Sequence, residues 1–465
     1  MPLVDRDEPR FAEASREMME RENWVVPYFN DVYRFDKPPL IYWMQIGSYR
    51  LFGTNDFSAR LPSILCTLLT GLLIYGFAGR LRKFHEPEGR WQFAWMAAVI
   101  YLTALQTMIH GRAAVADAAM ILCTTAALWC GWEAASKLGV PRKWSPVNDP
   151  WWWGFVLALA LGFLAKGPVA WLPIIPYGVL VWQQGGWRGV RHAGILASLV
   201  LATALVGIWG LPALALTDGA FFEVGIGKHV VQRSISVMEG HGASNFLLYL
   251  LTLPFYLPIV FIFFLPWSIW LPRLWRDRAS RNWMGYLWWW VIVVFVVFSL
   301  VKTKLPHYIL PAYPALALLL ARYFNRGSIT ETARRGVWKA TAAAVIFSLA
   351  VGFVAAPIVD RLFLSKRIGR EVGPRIADSI SFGVTSYAEP SLVWYLRQHT
   401  NGWLEILTPD YLERGGVAII PEEEIPLRFP DGIGDAEVVR ISGINPAKGR
   451  WMTLVAIIPE KAAAQ

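Results

Sequence analysis

Phe35-Asp36-Lys37-Pro38-Pro39-Leu40 decides how the rest of this chain is read. A carboxylate and an ammonium stand on adjacent residues, and two prolines fix the backbone after them. Proline suits the first helical position, where its missing N–H has no partner to lose. Pro39 therefore opens a helix over 40–51. Lys37 is a compact point charge suited to a phosphate. The plainer reading is a lysine at a membrane edge, its stem along apolar surface and its head in water.

What flanks the segment favours chemistry. Upstream lie Asp5-Arg6-Asp7-Glu8-Pro9-Arg10 and an amphipathic stretch over 11–21, rich in Glu and Arg. Acids at a helix start suit its dipole, which is the bland account of Asp7 and Glu8. The functional account is a general base or an electrostatic partner for a sugar donor, the usual work of carboxylates in glycosyl transfer. Downstream the chain turns apolar. Of 465 residues 55% are hydrophobic and only 17% charged, with mean hydropathy +0.38, so an integral membrane protein is expected. The Trp clusters at 151–153 and 288–290 fit membrane interfaces. The formal charge of +10 follows from Lys and Arg retained in cytoplasmic loops, and no nucleic-acid motif accompanies it. Cys66, Cys123 and Cys130 fall in apolar spans, outside any zinc or disulfide pattern.

Stretches of about 20 apolar residues cross a bilayer as helices. They are expected near 61–81, 91–109, 114–135, 151–165, 168–184, 193–213, 246–271, 284–301, 306–324 and 338–357. Lys166-Gly167-Pro168 reads as a tight bend between two short spans. One alternating set of loops holds most of the Lys and Arg. The opposite short loops hold only Arg112, Lys166, Lys228, Arg233, Lys302 and Lys304. The positive-inside rule makes the first set cytoplasmic. Residues 1–60, 214–245, 302–305 and the C-terminal tail then lie outside. No signal peptide carries residues 1–60 across, so a missing first transmembrane helix is expected.

Beyond 358, segments 379–384, 404–407, 416–421, 436–441 and 452–458 read as short strands, and 390–398 as a helix opened by Glu389-Pro390-Ser391. The expected architecture is an all-α polytopic membrane domain with a small C-terminal α/β periplasmic domain. Its parts are an outer catalytic loop over 1–60, a transmembrane domain over 61–358 and a tail domain over 359–465.

Ionisable groups at membrane depth are costly and hence functional candidates. Arg112, Asp117, Lys166, Lys302, Lys304, His307 and Tyr308 all converge on the outer face. Cations there, facing a carboxylate loop, suit an anionic lipid head group. The 214–245 loop adds His229, Arg233 and His241. His229 and Asp36 are ligand types for a divalent ion, though no spacing motif joins them.

Together these residues resemble membrane glycosyltransferases of the GT-C fold that use polyprenyl-phosphate sugars. The branch resembled contains the aminoarabinose transferase of lipid A and the bacterial relatives of protein O-mannosyltransferases. The resemblance rests on Asp7-Glu8-Pro9-Arg10-Phe11-Ala12, Phe35-Asp36-Lys37-Pro38-Pro39-Leu40, Ala59-Arg60-Leu61-Pro62 and Leu164-Ala165-Lys166-Gly167-Pro168. It extends through Pro266-Trp267 and Lys304-Leu305-Pro306-His307-Tyr308 to Tyr387-Ala388-Glu389-Pro390-Ser391-Leu392. It implies an inner-membrane enzyme, multi-pass, with its site on the periplasmic side and an undecaprenyl-phosphate sugar as donor. Lipid A or protein would be the acceptor. Asp7 would be the catalytic carboxylate, with Glu8 beside it. Lys37 and Arg233 would hold the donor phosphate, joined by Arg10, Arg112, Lys166, Lys304 and Tyr308. Asp36 with His229, or His241 in its place, would hold a divalent metal (zinc, magnesium or manganese), and no organic cofactor is implied. Asp36 stands where the family has Glu, which shortens its reach by one methylene.

Two rivals are weaker. A flippase for lipid-linked sugars predicts matched polar groups on the cytoplasmic side and an inverted repeat, and the sequence shows neither. A scaffold binding cell wall through its tail leaves the Asp-Glu and Asp-Lys-Pro-Pro segments unexplained.

Overall fold

The computed structural model describes residues 1–4, 7–83, 90–138, 145–221, 223–225, 246–277, 285–325, 331–430, 432–445 and 447–463. It divides into two compact units. One holds Met1–Arg34, Tyr42–Arg60 and Leu349–Gln465, and the other holds Phe35–Ile41 and Leu61–Ser348.

In the first unit the N-terminal segment and the tail fold together. Helix Asp7–Glu20 carries acids in its first turn. A hairpin follows, β1 (Tyr28–Phe29) against β2 (Val32–Tyr33). Its loop residues Asn30 and Asp31 both have positive φ, 54° and 65°, as a type I′ turn demands. The Glu17 carboxylate accepts from both loop amides, at 2.5 and 3.2 Å.

The tail sheet has the order β4 (Leu404–Ile406), β3 (Phe382–Val384), β5 (Val417–Pro421), β7 (Arg450–Ile458), β6 (Glu437–Asn445). Its first three strands are parallel and its last two antiparallel to their neighbours. Alternate side chains point to opposite faces of a strand, and β5 is buried on both. Val417 and Ile419 pack with Leu364, Ile368 and Val372, which recur every fourth residue along one stripe of helix Leu364–Val372. Ala418 and Ile420 pack on the other side with Val455 and Ile457. All five strand segments read from the sequence are present, and helix Pro390–Leu396 starts at its proline. The sequence pattern missed helix Leu364–Val372 and the hairpin.

Long-range polar contacts bind the pieces of this unit. Arg397 Nη1 donates to Glu13 at 2.5 Å and its Nη2 to Glu20 at 2.9 Å, while its guanidinium lies 3.9 Å over the Trp403 ring. Asp56 accepts from Lys366, Trp394 and Tyr395 at 2.7–3.1 Å. Asn30 exchanges two bonds with Leu404, its amide donating to the carbonyl and its oxygen accepting from the N–H, each at 2.8 Å.

The second unit is helical. Among the described residues, five helices of the chain are long and apolar enough to span a membrane: Asp56–Leu81, Asp117–Ala135, Pro150–Trp171, Ile195–Leu216 and Arg335–Leu362. The expected span over 246–271 is a pair of helices bent by 115°, Tyr249–Phe263 and Trp267–Arg276, and the spans near 91–109 and 284–301 are shorter apolar helices. The chain is thus a multi-pass membrane protein with a C-terminal sheet region.

Within the span Pro150–Trp171, local sequence sets the ends of the α-helix Pro150–Lys166, which a 3-10 turn over Gly167–Trp171 follows. Asp149 caps it by accepting from Trp151 N at 3.0 Å, and Pro150 holds the first position. Gly167 ends it at φ 75°, ψ −157°, a conformation essentially confined to glycine.

Candidate functional site

Helices Asp117–Ala135 and Pro150–Lys166 pack closely as consecutive neighbours. Asp117 opens the first and Lys166 closes the second, and Lys166 Nζ donates to Asp117 Oδ1 at 2.5 Å. The signs suit the helix dipoles, acid at the N-terminus and cation at the C-terminus. At the opposite ends of the two helices, Lys137 pairs with Asp149 at 2.7 Å.

The Asp117–Lys166 pair stands in the wall of a cavity of about 460 Å³, within the usual size range of small-molecule sites. Residues 35–38, the start of helix Asp117–Ala135, the Gly167 bend and helix Ile195–Leu216 contribute to the wall. So does the stretch from the end of helix Gly285–Leu300 into the 3-10 turn Pro306–Ala312. Most of the lining is apolar. Phe221 meets Phe35 at 5.4 Å and Trp209 at 5.1 Å, both edge-on. Asp36, Lys37, Asp117, Lys166, His307 and Tyr308 supply the polar wall. Lys37 Nζ donates to Asp36 Oδ1 at 2.6 Å and to the Asp36 carbonyl at 3.1 Å. The Tyr308 ring lies 5.8 Å from Lys166 Nζ and 5.2 Å from the Phe298 ring. The His307 ring stands 5.1 Å from that of His110, and Lys37 is near enough to act on the charge of His307. Two ammoniums, each oriented by a carboxylate, thus face a largely apolar space. Such a space suits an anionic head carrying an apolar tail.

Of the residues given roles from sequence, Asp36, Lys37, Lys166 and Tyr308 meet at this cavity. Arg112 is half-buried in the turn before Asp117. Lys304 is buried, and its Nζ donates to the Ser299 and Val301 carbonyls at 2.6 and 2.8 Å. Asp7, Glu8 and Arg10 belong to the first unit. Asp7 is exposed in the first helical turn, and Arg10 is half-buried on the same helix. Glu8 is buried and held by Arg60, which donates to its two oxygens at 2.8 and 2.7 Å and to the Met1 and Pro2 carbonyls. His229, Arg233 and His241 lie outside the described residues. Among the described residues no three His, Cys, Asp or Glu gather as a metal set, and the Asp36 oxygen already carries Lys37.

Sequence reading had named Asp117 and His307 as outer-face groups without giving them roles. It missed the Asp117–Lys166 pairing and the Phe35–Phe221–Trp209 group, because nothing local in the sequence joins residues so far apart.

Fold and cavity define a multi-pass membrane protein with a largely apolar cavity whose wall carries Lys37 and Lys166. Residues 36–209 match the family model described as dolichyl-phosphate-mannose-protein mannosyltransferase. Two curated relatives are named undecaprenyl phosphate-alpha-4-amino-4-deoxy-L-arabinose arabinosyl transferase. The relative from Edwardsiella ictaluri (strain 93-146) is 34% identical over 70% of this chain and 56% of its own length. That from Enterobacter sp. (strain 638) is 33% identical over 76% and 62%. The chain thus spans less than two thirds of either. The crystal structure of ArnT from Cupriavidus metallidurans bound to undecaprenyl phosphate superposes with a TM-score of 0.76 at 20% identity, covering 100% of this chain and 96% of that one. The chain is thus similar in sequence to the aminoarabinose transferases and, over residues 36–209, to the mannosyltransferase family model, and it shares the fold of ArnT.

Proposed function

We propose that the chain transfers a sugar from a polyprenyl phosphate, undecaprenyl phosphate in a bacterium, to a lipid A-like or protein acceptor. The reaction runs on the periplasmic face of the inner membrane, in a fold of about ten crossings. The observation that carries this reading is the mostly apolar cavity with Lys37 and Lys166 in its wall. The names of the Edwardsiella and Enterobacter relatives support the donor class.

The acceptor attacks the anomeric carbon opposite the phosphate, with inversion. The carbon–oxygen bond to the phosphate breaks and its electron pair stays on the phosphate oxygen. That oxygen gains charge as the bond lengthens, so ammoniums aimed at it act most strongly in the transition state. Lys37 and Lys166 are those ammoniums, with Arg233 as a further cation. If the acceptor is a hydroxyl, Asp7 takes its proton. If it is a phosphate oxyanion no proton moves, and Asp7 positions or stabilises. The apolar wall receives the first units of the polyprenyl chain.

The test is transfer in proteoliposomes. Purified full-length chain is given an undecaprenyl-phosphate sugar with lipid A or with a periplasmic protein extract, and products are read by mass spectrometry. A glycosyl-sized gain on either acceptor supports the reading. Movement of the lipid-linked sugar between leaflets with no gain on either sinks it.

A further inference from the structure

Lys304 carries charge into a buried place, at 7% exposure, yet is not part of the cavity lining. It lies between two parts of the cavity wall. Before it come the end of helix Gly285–Leu300, which supplies Val297 and Phe298, and Val301 just beyond it; after it comes the turn Pro306–Ala312, which supplies His307 and Tyr308. The last carbonyls of a helix have no partner within it. Lys304 Nζ reaches back to one of these, Ser299 at 2.6 Å, and to Val301, the residue just past the helix end, at 2.8 Å. A cation there also suits the negative end of the helix dipole. The Tyr249 and Tyr256 rings flank the ammonium at 5.7 and 6.0 Å, within cation–π range. Two hydrogen bonds and two aromatic faces hold this ammonium in place. From this anchor the chain runs to Leu305, whose carbonyl accepts from Tyr308 N at 3.1 Å.

We infer that Lys304 is a positioning residue, a staple that folds the 301–305 link onto the helix end and thereby sets Tyr308 and His307 in the cavity wall. It acts through Tyr308 and does not touch the donor phosphate. The inference rests on the proposed transfer reaction only for its kinetic arm.

The experiment uses full-length chain in proteoliposomes, with Lys304→Met, Lys304→Arg, Tyr308→Ala and the Lys304→Met/Tyr308→Ala double variant. Hydrogen exchange is the first readout. Lys304→Met should lose protection across 301–312, and Lys304→Arg, which still donates to carbonyls, should keep it. Unchanged protection in Lys304→Met overturns the inference whether or not the chain transfers sugar. Kinetics is the second readout. Lys304→Met should lower kcat at least tenfold in the parent and have little further effect in the Tyr308→Ala background. Lys304→Arg should restore most of the rate. A full multiplicative loss in the double variant, or a Lys304→Met defect confined to undecaprenyl phosphate affinity, makes Lys304 a phosphate ligand and overturns the inference. A parent chain that neither binds undecaprenyl phosphate nor transfers sugar defeats the functional reading alone, and the exchange result still decides Lys304.

Discussion

Lys37 and Lys166 each reach the cavity with a carboxylate already attached, at 2.6 and 2.5 Å. A paired lysine is held in one orientation before the ligand arrives, which is what a preorganised electrostatic site requires. Losing one such donor typically costs about 10²–10³ in rate. Lys37→Met and Lys166→Met should each lower kcat by about that factor in the proteoliposome assay, with membrane insertion unchanged on detergent extraction. Normal turnover in both variants would remove the lysines from the reaction. Sequence reading marked Lys37 and Lys166 for phosphate, since a lysine beside fixed backbone is locally visible. It missed the Asp117 partner, because an ion pair 49 residues apart depends on how two helices dock. Glu17 offers a different residue-scale test. Burial, reinforced by the Glu13 carboxylate, pushes its pKa up to about 7. The folded state therefore binds this proton more tightly than the unfolded chain does. Its stabilising effect is complete below the ordinary glutamate range and is lost as pH rises through about 7. Thermal unfolding between pH 5 and 8 should show a falling midpoint that Glu17→Gln flattens.

Among the elements, the Gly167 bend carries the most consequence. It ends one helix at Lys166 and turns the chain into the cavity wall, and its φ of 75° with ψ −157° admits glycine almost alone. Open space surrounds the position, so an added Cβ meets no atom within 4 Å and the cost is purely of backbone. Gly167→Ala should lower stability by about 1–3 kcal/mol and should reduce turnover by shifting Lys166. Midpoints in detergent and kcat measured on one preparation check both. This bend was legible because Lys-Gly-Pro is punctuation at the local scale. The tail strands were legible for the same reason, as alternating apolar runs between turn residues. Helix Leu364–Val372 escaped notice because its nine residues follow directly on the long apolar helix ending at Leu362. The bent pair over 249–276 reads in the sequence as a plain span over 246–271, because hydropathy counts apolar residues and is blind to a 115° turn.

For the first unit as a whole, the decisive contacts join its N-terminal and C-terminal segments. Arg397 meets Glu13 across 384 residues and Glu20 across 377, separations that no local pattern announces. Sequence reading kept residues 1–60 and 359–465 as separate parts, and nothing in either segment's periodicity pairs them. Glu13 and Arg397 are both almost wholly buried, at 0 and 3% side-chain exposure. Removing Arg397 strips Glu13 of one of its two cations, Arg16 being the other, and breaking a buried pair typically costs up to about 3–5 kcal/mol. Arg397→Met should therefore loosen the whole first unit. Limited proteolysis should open sites in 1–34 and in 376–463 together, with the membrane helices left intact. Cleavage confined to the tail would mean that the two segments fold independently. The hairpin contact of Asn30 acts on the same unit in another way. β4 is the last strand of its sheet, and such a strand ordinarily offers bare amides and carbonyls to any passing chain. The Asn30 side chain occupies one donor and one acceptor of Leu404 as another strand would. An amide side chain drawn from a segment more than 370 residues upstream thus stands guard against self-association, and β4, synthesised later than that segment, finds its protector already made.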